Sequence, residues 1–375
     1  MTRLDRTLEG WDGELLRLEK RIGVRLTALV VSLVLLILGG LYASENFTPL
    51  NFGEDYARLS ENPFDFSRPN RLHYRLLSPL LGYLLHLRGN LFPILTHGAS
   101  LLFLATIYAS LRRRSFRAVD ALGIAFMMAF SINVLGEIHF PGTTDPVSYL
   151  FLLWALINLE RPFVWGACFS LALLNHEANF FALPGLLLLA LSKKDGNKDR
   201  VAVAMAAVAA CIPWIIVRLA LARTLRSEVP FSTSYYFSRA NLASNLGAIA
   251  PTVWVGIFSA YKLAWFFPLA AILLHLRSGE KSRALLLTVI VMCATAQLAF
   301  GWDITRLMGL AFPAVLLGAE TLRDLWGEEA FRRRMWTLLL LNLLVPQATA
   351  WGNHIITFHP LPYTILVQYV FRMPL

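Results

Sequence analysis

Residues 24–43 read VRLTALVVSLVLLILGGLYA and carry a single charge, Arg25, close to their start. Because a helix needs about 20 mostly apolar residues to cross the hydrocarbon of a bilayer, this stretch predicts a membrane-spanning helix. The polar leader before it is too long and too acidic for the basic region of a signal peptide. We therefore expect an uncleaved first span that follows a leader of residues 1–23.

Further apolar runs bring the expected number of spans to about eleven, with a range of roughly 10 to 12. They are Leu91–Leu111, Val119–Glu137, Pro146–Leu159, Phe163–Leu174, Ala178–Leu191, Val201–Ala222, Pro251–Leu276, Ala284–Phe300, Leu307–Leu322 and Met335–Trp351. Residues 163–191 form either two short spans or one long broken helix. The sequence thus predicts an all-α polytopic membrane protein in which residues 1–375 form a single transmembrane domain.

The composition agrees with this class and excludes others. Hydrophobic residues make up 57% of the chain and charged residues 15%, and the mean hydropathy is +0.56. A soluble domain carries about 25% charged residues and needs polar side chains to cover its surface. The three cysteines show neither disulfide nor zinc spacing. A soluble enzyme, a disulfide scaffold, a coiled coil and a disordered chain are therefore excluded.

The charges predict an orientation. The chain has 34 Lys and Arg against 24 Asp and Glu, and the basic residues concentrate in the leader and in alternate loops such as Arg112–Arg114. Because Lys and Arg are enriched in cytoplasmic loops, we expect a cytoplasmic N-terminus. The first loop, 44–90, and the tail, 352–375, then lie on the outer face. The apolar but charged stretch Leu72–Leu87 predicts an interfacial helix in that loop. Nucleic acid is not an expected partner, since no soluble basic segment alternates with aromatic residues.

Glu54 and Asp55 are adjacent carboxylates in the first outer loop, and Arg58 follows them. Neighbouring residues of a helix face different ways, so one carboxylate can point at a site while the other is held by a partner. This pattern makes them candidates for a general base or for a metal or substrate ligand. The alternative is a pair of solvated loop acids or a helix cap.

A basic cluster follows in the same loop and consists of Arg68, Arg71, His73 and Arg75. Arginine binds phosphate through two parallel hydrogen bonds and stays charged at every physiological pH. At a membrane surface such a cluster predicts a site for a lipid phosphate. Anchoring among lipid headgroups is the alternative.

Polar residues also mark the ends of later apolar runs. His139 and Asp145 bracket the second outer loop, where Asp145 is equally typical of a helix cap. His176 and Glu177 interrupt an otherwise apolar stretch. Charged residues at membrane depth cost about 2.5–3.5 kcal/mol each on insertion scales, so they indicate either a functional site or a satisfied polar network.

Asp303 and Arg306 are three residues apart, which is also the spacing of a local ion pair with a helix cap. Several outer residues are of metal-ligating types. They are His139, Asp145, His176, Glu177, His354 and His359. Because no two of them show ligand spacing on one helix, we assign no metal ligands and leave a divalent metal as an open alternative.

The order of a first span, a long acidic outer loop, an interfacial helix and about ten more spans resembles the GT-C superfamily of integral membrane glycosyltransferases. Four short motifs are similar to segments of bacterial members. They are GEDYARLSENPF with RLHYRLLSPLLGYLL (53–64, 71–85), PGTTDPVSYLFLLWAL (141–156), SLALLNHEANFFALPGLLLLAL (170–191) and DITRLMGLAFPAVLL (303–317).

The resemblance implies transfer of a sugar from a polyprenyl-phosphate carrier to a lipid, glycan or protein acceptor, on the outer face of a bacterial inner membrane. It implies Asp55 as the general base, with Glu54 as the alternate. The implied ligands of the carrier phosphate are Arg71, Arg75 and Arg306. The implied sugar or acceptor pocket consists of His139, Asp145, His176 and Glu177.

Two other classes stay open at this point. A transporter or lipid flippase would have inverted repeats and charges near the midplane, whereas this sequence has no repeat and its polar groups favour one face. A non-catalytic membrane subunit could keep the same fold. An outer-face cavity containing Asp55 would favour the enzyme.

Overall fold

The computed structural model describes residues 3–43, 48–66, 71–194, 196–224, 238–360 and 363. Within these residues the chain is α-helical apart from turns, short 3₁₀ segments and one hairpin of two strands. The expected all-α class is therefore confirmed.

The helices follow one another through mostly short connections. In the first half of the chain they are α1 (Arg3–Ile22), α2 (Val24–Ala43), α3 (Phe52–Glu61), α4 (Leu77–Leu84), α5 (Phe92–Arg113), α6 (Ala118–Ala129), α7 (Ile132–His139), α8 (Asp145–Ile157), α9 (Pro162–Asn175) and α10 (Leu183–Ser192). In the second half they are α11 (Asn197–Thr224), α12 (Arg239–Ile249), α13 (Val253–Tyr261), α14 (Phe266–Arg277), α15 (Lys281–Ala296), α16 (Ile304–Met308), α17 (Phe312–Trp326) and α18 (Glu328–Leu344). The strands are β1 (Ala348–Trp351) and β2 (His354–Thr357).

Six helical segments of the described chain are long and apolar enough to cross a membrane, so the chain is that of a membrane protein. They are Val24–Ala43, Gly89–Arg113, Asn197–Thr224, Val253–Arg277, Lys281–Ala299 and Ile304–Trp326. The pair α6 and α7, bent by 47°, makes a seventh if it is one span. Three predicted spans are shorter helical segments: Asp145–Ile157, Pro162–Asn175 and Glu177–Ser192. A helix of 13 residues is only about 20 Å long, short of the roughly 30 Å of hydrocarbon.

Residues 163–191 form a hairpin of two helices. Helix α9 ends at Asn175, His176 is extended, and a 3₁₀ segment over Glu177–Ala182 leads into α10. The Lys194 ammonium, which follows α10, donates to the Glu160 carbonyl, which precedes α9, at 2.9 Å. The chain therefore returns to the end from which it started, and the alternative of one long broken helix is wrong.

At one end of the bundle, the charged end, α1 contacts the end of α5 and the loop that follows it, and that loop contacts α17. Glu19 accepts hydrogen bonds of 2.7 and 2.6 Å from Arg112, and Asp12 accepts bonds of 3.0 and 2.8 Å from Arg117. Arg114 pairs with Glu320. The leader is thus largely a helix packed on the bundle.

The opposite end, the loop end, brings together the segments that were predicted to share one face. The Leu50 amide of the first loop donates to the Pro141 carbonyl of the second at 3.1 Å. The Trp302 indole donates to Asn245 at 2.5 Å, and the Gly352 amide donates to the Trp302 carbonyl at 2.7 Å. The first loop, the second loop, residues 239–250 and 301–306 and the start of the tail therefore meet here.

Two boundaries predicted from hydropathy are wrong. The run Met335–Trp351 is not one span, because α18 ends at Leu344 and β1 begins at Ala348. The region Leu72–Leu87 contains a 3₁₀ turn, Arg71–Tyr74, and the short helix α4. Beyond Leu344, Ala348 and Ala350 are buried in the hairpin at the loop end, and in the first loop Leu72 is buried in the turn before α4. The tail residues 361–362 and 364–375 lie outside the described part of the chain.

Candidate functional site

Arg306 lies between two aspartates at the loop end. Its Nε donates to Asp145 at 2.6 Å, and its Nη1 donates to Asp303 at 2.9 Å. Asp303 is the cap residue of α16, where its side chain accepts from the Arg306 amide. Asp145 does not cap α8, whose cap residue is Thr144, but reaches across the bundle to Arg306. The alternative of Asp145 as a simple helix cap is therefore wrong.

A second ion pair joins the first outer loop to the apex of the α9–α10 hairpin. Arg75 binds Glu177 through two hydrogen bonds of 3.1 and 2.9 Å, and it also donates to the Tyr56 hydroxyl at 2.9 Å. Tyr56 is fully buried on α3. The pair therefore fixes α3 against the hairpin apex.

Amides and hydroxyls fill the space around these pairs. The Asn175 side chain donates to the Thr144 carbonyl at 2.7 Å and to the Ser148 hydroxyl at 2.8 Å, and it accepts from Ser78. Asn179 donates to the Ala172 carbonyl at 2.7 Å. These bonds join the hairpin apex to the start of α8 and to α4.

His176 lies within electrostatic reach of both ion pairs. The Ala178 amide donates to its Nδ1 at 3.0 Å, so this nitrogen is unprotonated. Burial lowers the pKa of His176 to about 4, helped by the nearby charge of Arg75 and opposed by Glu177 and Asp145. The imidazole is therefore neutral at physiological pH and is a buried polar group beside the two ion pairs.

A small cavity opens beside Asp303 and Arg306. Its volume of about 20 Å³ is roughly what one or two water molecules need. The lining residues are Asn51, Phe52, Phe140, Thr143, Asp303, Arg306, Thr349, Trp351 and Ile356. Burial raises the pKa of the Asp303 carboxyl, against the opposing charge of Arg306. Such a shift in a cavity is typical of a group that exchanges protons.

The predicted base residues are placed differently. Glu54 is exposed on α3, and the Asp55 carboxylate, 31% exposed, pairs with Arg58. Neither is among the described residues that line the cavity. Asp55 lies on α3 between Phe52, which lines the cavity, and Tyr56, which binds Arg75. Its role as a base stays a prediction.

The remaining predicted residues have other surroundings. His139 donates a hydrogen bond from Nδ1 to the Ala43 carbonyl at 3.2 Å, and its ring stacks on Phe358 with centroids 3.9 Å apart. His73 lies 3.0 Å from the Asp65 carbonyl. Arg68 and the side chain of Arg71 lie outside the described part of the chain.

Glu137 was not predicted as a site residue, yet it is the best-satisfied carboxylate of the second loop. It accepts from the Gly142 amide at 2.9 Å and the Thr143 hydroxyl at 2.8 Å, and it also bonds Thr96 and lies 3.1 Å from His97. A carboxylate at the end of an apolar run was the available signal. Its bonds fix the turn that leads to Asp145.

Among the described residues, no group of three or more His, Cys, Asp or Glu side chains is arranged to hold a metal ion. No protein-family model matches the chain, and no curated protein matches it. The site is therefore interpreted from its own geometry.

Proposed function

We propose that the chain is a membrane glycosyltransferase of the GT-C type, which moves a sugar from a polyprenyl-phosphate carrier to an acceptor at the loop end. The observation that supports this most is Arg306, held between Asp145 and Asp303 and facing a cavity. A guanidinium has five N–H donors. Two of them serve the aspartates, and the other three have no partner in the described structure.

These donors suit the phosphate of a lipid carrier. Phosphate leaves a sugar readily once its negative charge is stabilised, so an arginine can do the work of a general acid. Because burial raises the pKa of the Asp303 carboxyl, its ionised form accepts a proton more readily than an exposed aspartate does.

We place the general base at Asp303, with the sequence-predicted Asp55 as the alternative. Asp303 lines the cavity and is anchored by Arg306, whereas Asp55 is paired with Arg58. A base must lie within hydrogen-bond reach of the acceptor hydroxyl, which favours the residue inside the cavity. Arg75 and Glu177, which are not among the described residues lining the cavity, then hold α3 and the first loop against the hairpin apex.

The same proposal assigns about eleven membrane segments, an outer-face site and a bacterial inner membrane. The charged end carries α1 and the arginine-rich loop after α5, which supports a cytoplasmic position for that end. Below the site, the rings of Phe103, Tyr149 and Phe312 pack with centroids 5.3 to 6.2 Å apart. This buried aromatic layer favours a site that is open at one end only. It argues against a transport path across the bundle.

The test is a transfer assay with purified protein in nanodiscs, a radiolabelled polyprenyl-phosphate sugar and a membrane extract as the acceptor source. Asp303→Asn should slow transfer by about 10²–10⁴-fold, the usual contribution of a general base. Asp199→Asn, which alters an exposed acid of α11, is the matched control.

The outcomes separate the two bases. Loss of transfer in Asp55→Asn but not in Asp303→Asn would show that the general base is Asp55 of the first loop. If wild-type protein releases no label from any carrier sugar tested, the proposed function is wrong.

A further inference from the structure

The cavity beside Arg306 has an aromatic wall that phosphate recognition does not use. Phe52 and Trp351 line it with ring centroids 6.1 Å apart and planes tilted by 58°. Thr143 and Thr349 add hydroxyl groups to the same lining. Flat apolar rings beside hydroxyl and carboxylate groups match the two sides of a sugar, its C–H face and its hydroxyl edge.

The strand hairpin presents one face to this cavity. Thr349, Trp351 and Ile356 line the cavity, and the strand register pairs Thr349 with Ile356. The other face carries Ala350, which is fully buried against α13, where a side chain at Gly256 would meet its Cβ at 3.0 Å. One face therefore anchors the hairpin and the other is left for a ligand.

The hairpin is also tied to the segment that carries Asp303. The Ala350 amide donates to the Thr305 hydroxyl at 2.8 Å, and the backbones of Trp351 and Asp303 form a bridge. Trp351 and the Asp303 carboxylate are thus held as two parts of one wall. Asn51, which also lines the cavity, adopts φ 54°, a backbone angle that is uncommon for a residue other than glycine.

We infer that this cavity is the binding subsite for the ring of a neutral sugar, with Trp351 as its stacking residue and Asp303 as the acceptor for a ring hydroxyl. The inference rests on the proposed function and names the wall that the sugar contacts. Arg306 is the only cation among the described residues that line the cavity, and the proposed function assigns it to the carrier phosphate. With that phosphate bound, no cation is left to pair with the carboxylate of a uronic acid, so a neutral ring is preferred.

The size of the cavity adds a condition. A space of about 20 Å³ holds water but not a sugar ring, so the ring enters only when part of the wall moves. Trp351 is 42% exposed at the end of β1, next to the turn of the hairpin. It is the wall residue with room to swing outward.

The experiment uses saturation-transfer NMR on the full chain in nanodiscs with methyl glycosides of neutral hexoses and of the matching hexuronates. The probes have no lipid, and saturating inorganic phosphate is added to occupy Arg306, so the result does not depend on the carrier. We expect binding of at least one neutral glycoside and weaker binding of its uronate. Trp351→Ala should weaken that binding by about tenfold, in line with a lost aromatic contact, and Trp351→Phe by less.

The matched control is Ile355→Ala, which alters an exposed residue on the opposite face of the hairpin and should leave glycoside binding unchanged. Equal binding to wild type and Trp351→Ala, uronate binding as tight as neutral binding, or no binding of any probe would overturn the inference. Glycoside binding without transfer activity would leave the subsite standing and reject the proposed function.

Discussion

At the scale of single residues, the loop end is held by charges that balance one another. Arg306 is 14% exposed and its partners Asp145 and Asp303 are 16% and 24% exposed, so solvent screens these pairs only in part. Breaking a buried pair by removing one partner leaves an uncompensated charge. The stability of the site therefore depends on all three residues together.

This coupling predicts the effect of Arg306→Gln. We expect a loss of about 3 kcal/mol in the free energy of unfolding. This is the lower end of the range for breaking a buried ion pair, because the site is partly open to solvent. Adding Asp145→Asn to this variant should restore part of the lost stability, because it removes a carboxylate that no longer has its partner. Thermal unfolding in detergent measures both, and Arg283→Gln, at an exposed pair, is the control. Strictly additive losses would show that the two residues do not interact.

His176 predicts a pH dependence of stability. Its pKa is about 4 in the folded chain against an ordinary 6.5, so the folded state resists protonation. The unfolded state therefore takes up the proton first, and stability is lost as the pH falls from about 6.5 toward 4, by as much as roughly 3 kcal/mol.

Melting temperatures at pH 7.5 and pH 5 measure this effect. The wild type should lose more stability between the two than His176→Gln, while His354→Gln, at an exposed histidine, should behave as the wild type. An identical pH response of wild type and His176→Gln would contradict the neutral, buried state.

The sequence identified most of these residues by type but not their partners. Asp145 and Arg306 are 161 positions apart, and Arg75 and Glu177 are 102 apart. Hydropathy and local spacing carry no information on such distant pairs. For the same reason the cavity side of α3 could not be predicted.

At the scale of elements, the site depends on a close contact between α3 and the second outer loop. A side chain at Gly53 would place its Cβ 2.0 Å from the Pro141 carbonyl oxygen, and Gly142, with φ 89°, faces the same contact. The approach of these two backbones holds Phe52 at the cavity. Only glycine allows it.

We therefore expect Gly53→Ala to push α3 away from the second loop, lowering both the melting temperature and any activity of the site. Gly98→Ala is the matched control, because Gly98 lies within α5 with open space around its Cα. That change should raise stability by about 0.5–1 kcal/mol, the helical preference of alanine over glycine. A wild-type melting temperature for Gly53→Ala would contradict the close contact.

Helix type and position could be predicted better than helix length. The long apolar runs became helices near the expected places, because a continuous apolar run has few other ways to satisfy its backbone. Hydropathy failed at residues 335–351, where apolar residues belong partly to a strand that packs on α13. An apolar residue that packs between loops has the same hydropathy as one that faces lipid, so hydropathy alone does not distinguish the two.

At the scale of the whole molecule, the two ends of the bundle differ in chemistry. The charged end joins α1 to arginine-rich loops, and the loop end gathers the ion pairs, the cavity and the hairpin. Because Lys and Arg are enriched on the cytoplasmic side, this asymmetry predicts which end faces the cytoplasm.

Cysteine labelling tests this orientation. Asn62 and Ser278 are exposed at opposite ends of the predicted topology, so Asn62→Cys should react with a membrane-impermeant maleimide added to intact cells and Ser278→Cys only after lysis. A background without Cys168, Cys211 and Cys293 removes native signal. Labelling of both positions from the same side would contradict the outer-face site.

The most direct test of the central claim is a density map of the protein in nanodiscs that contain a polyprenyl-phosphate lipid. We predict phosphate density at the loop end within hydrogen-bond distance of the Arg306 guanidinium, with the isoprenoid chain leading into the bilayer. A parallel map with the uncharged polyprenol should lack it. Phosphate density only at the charged end, or the same loop-end density with polyprenol, would contradict the claim.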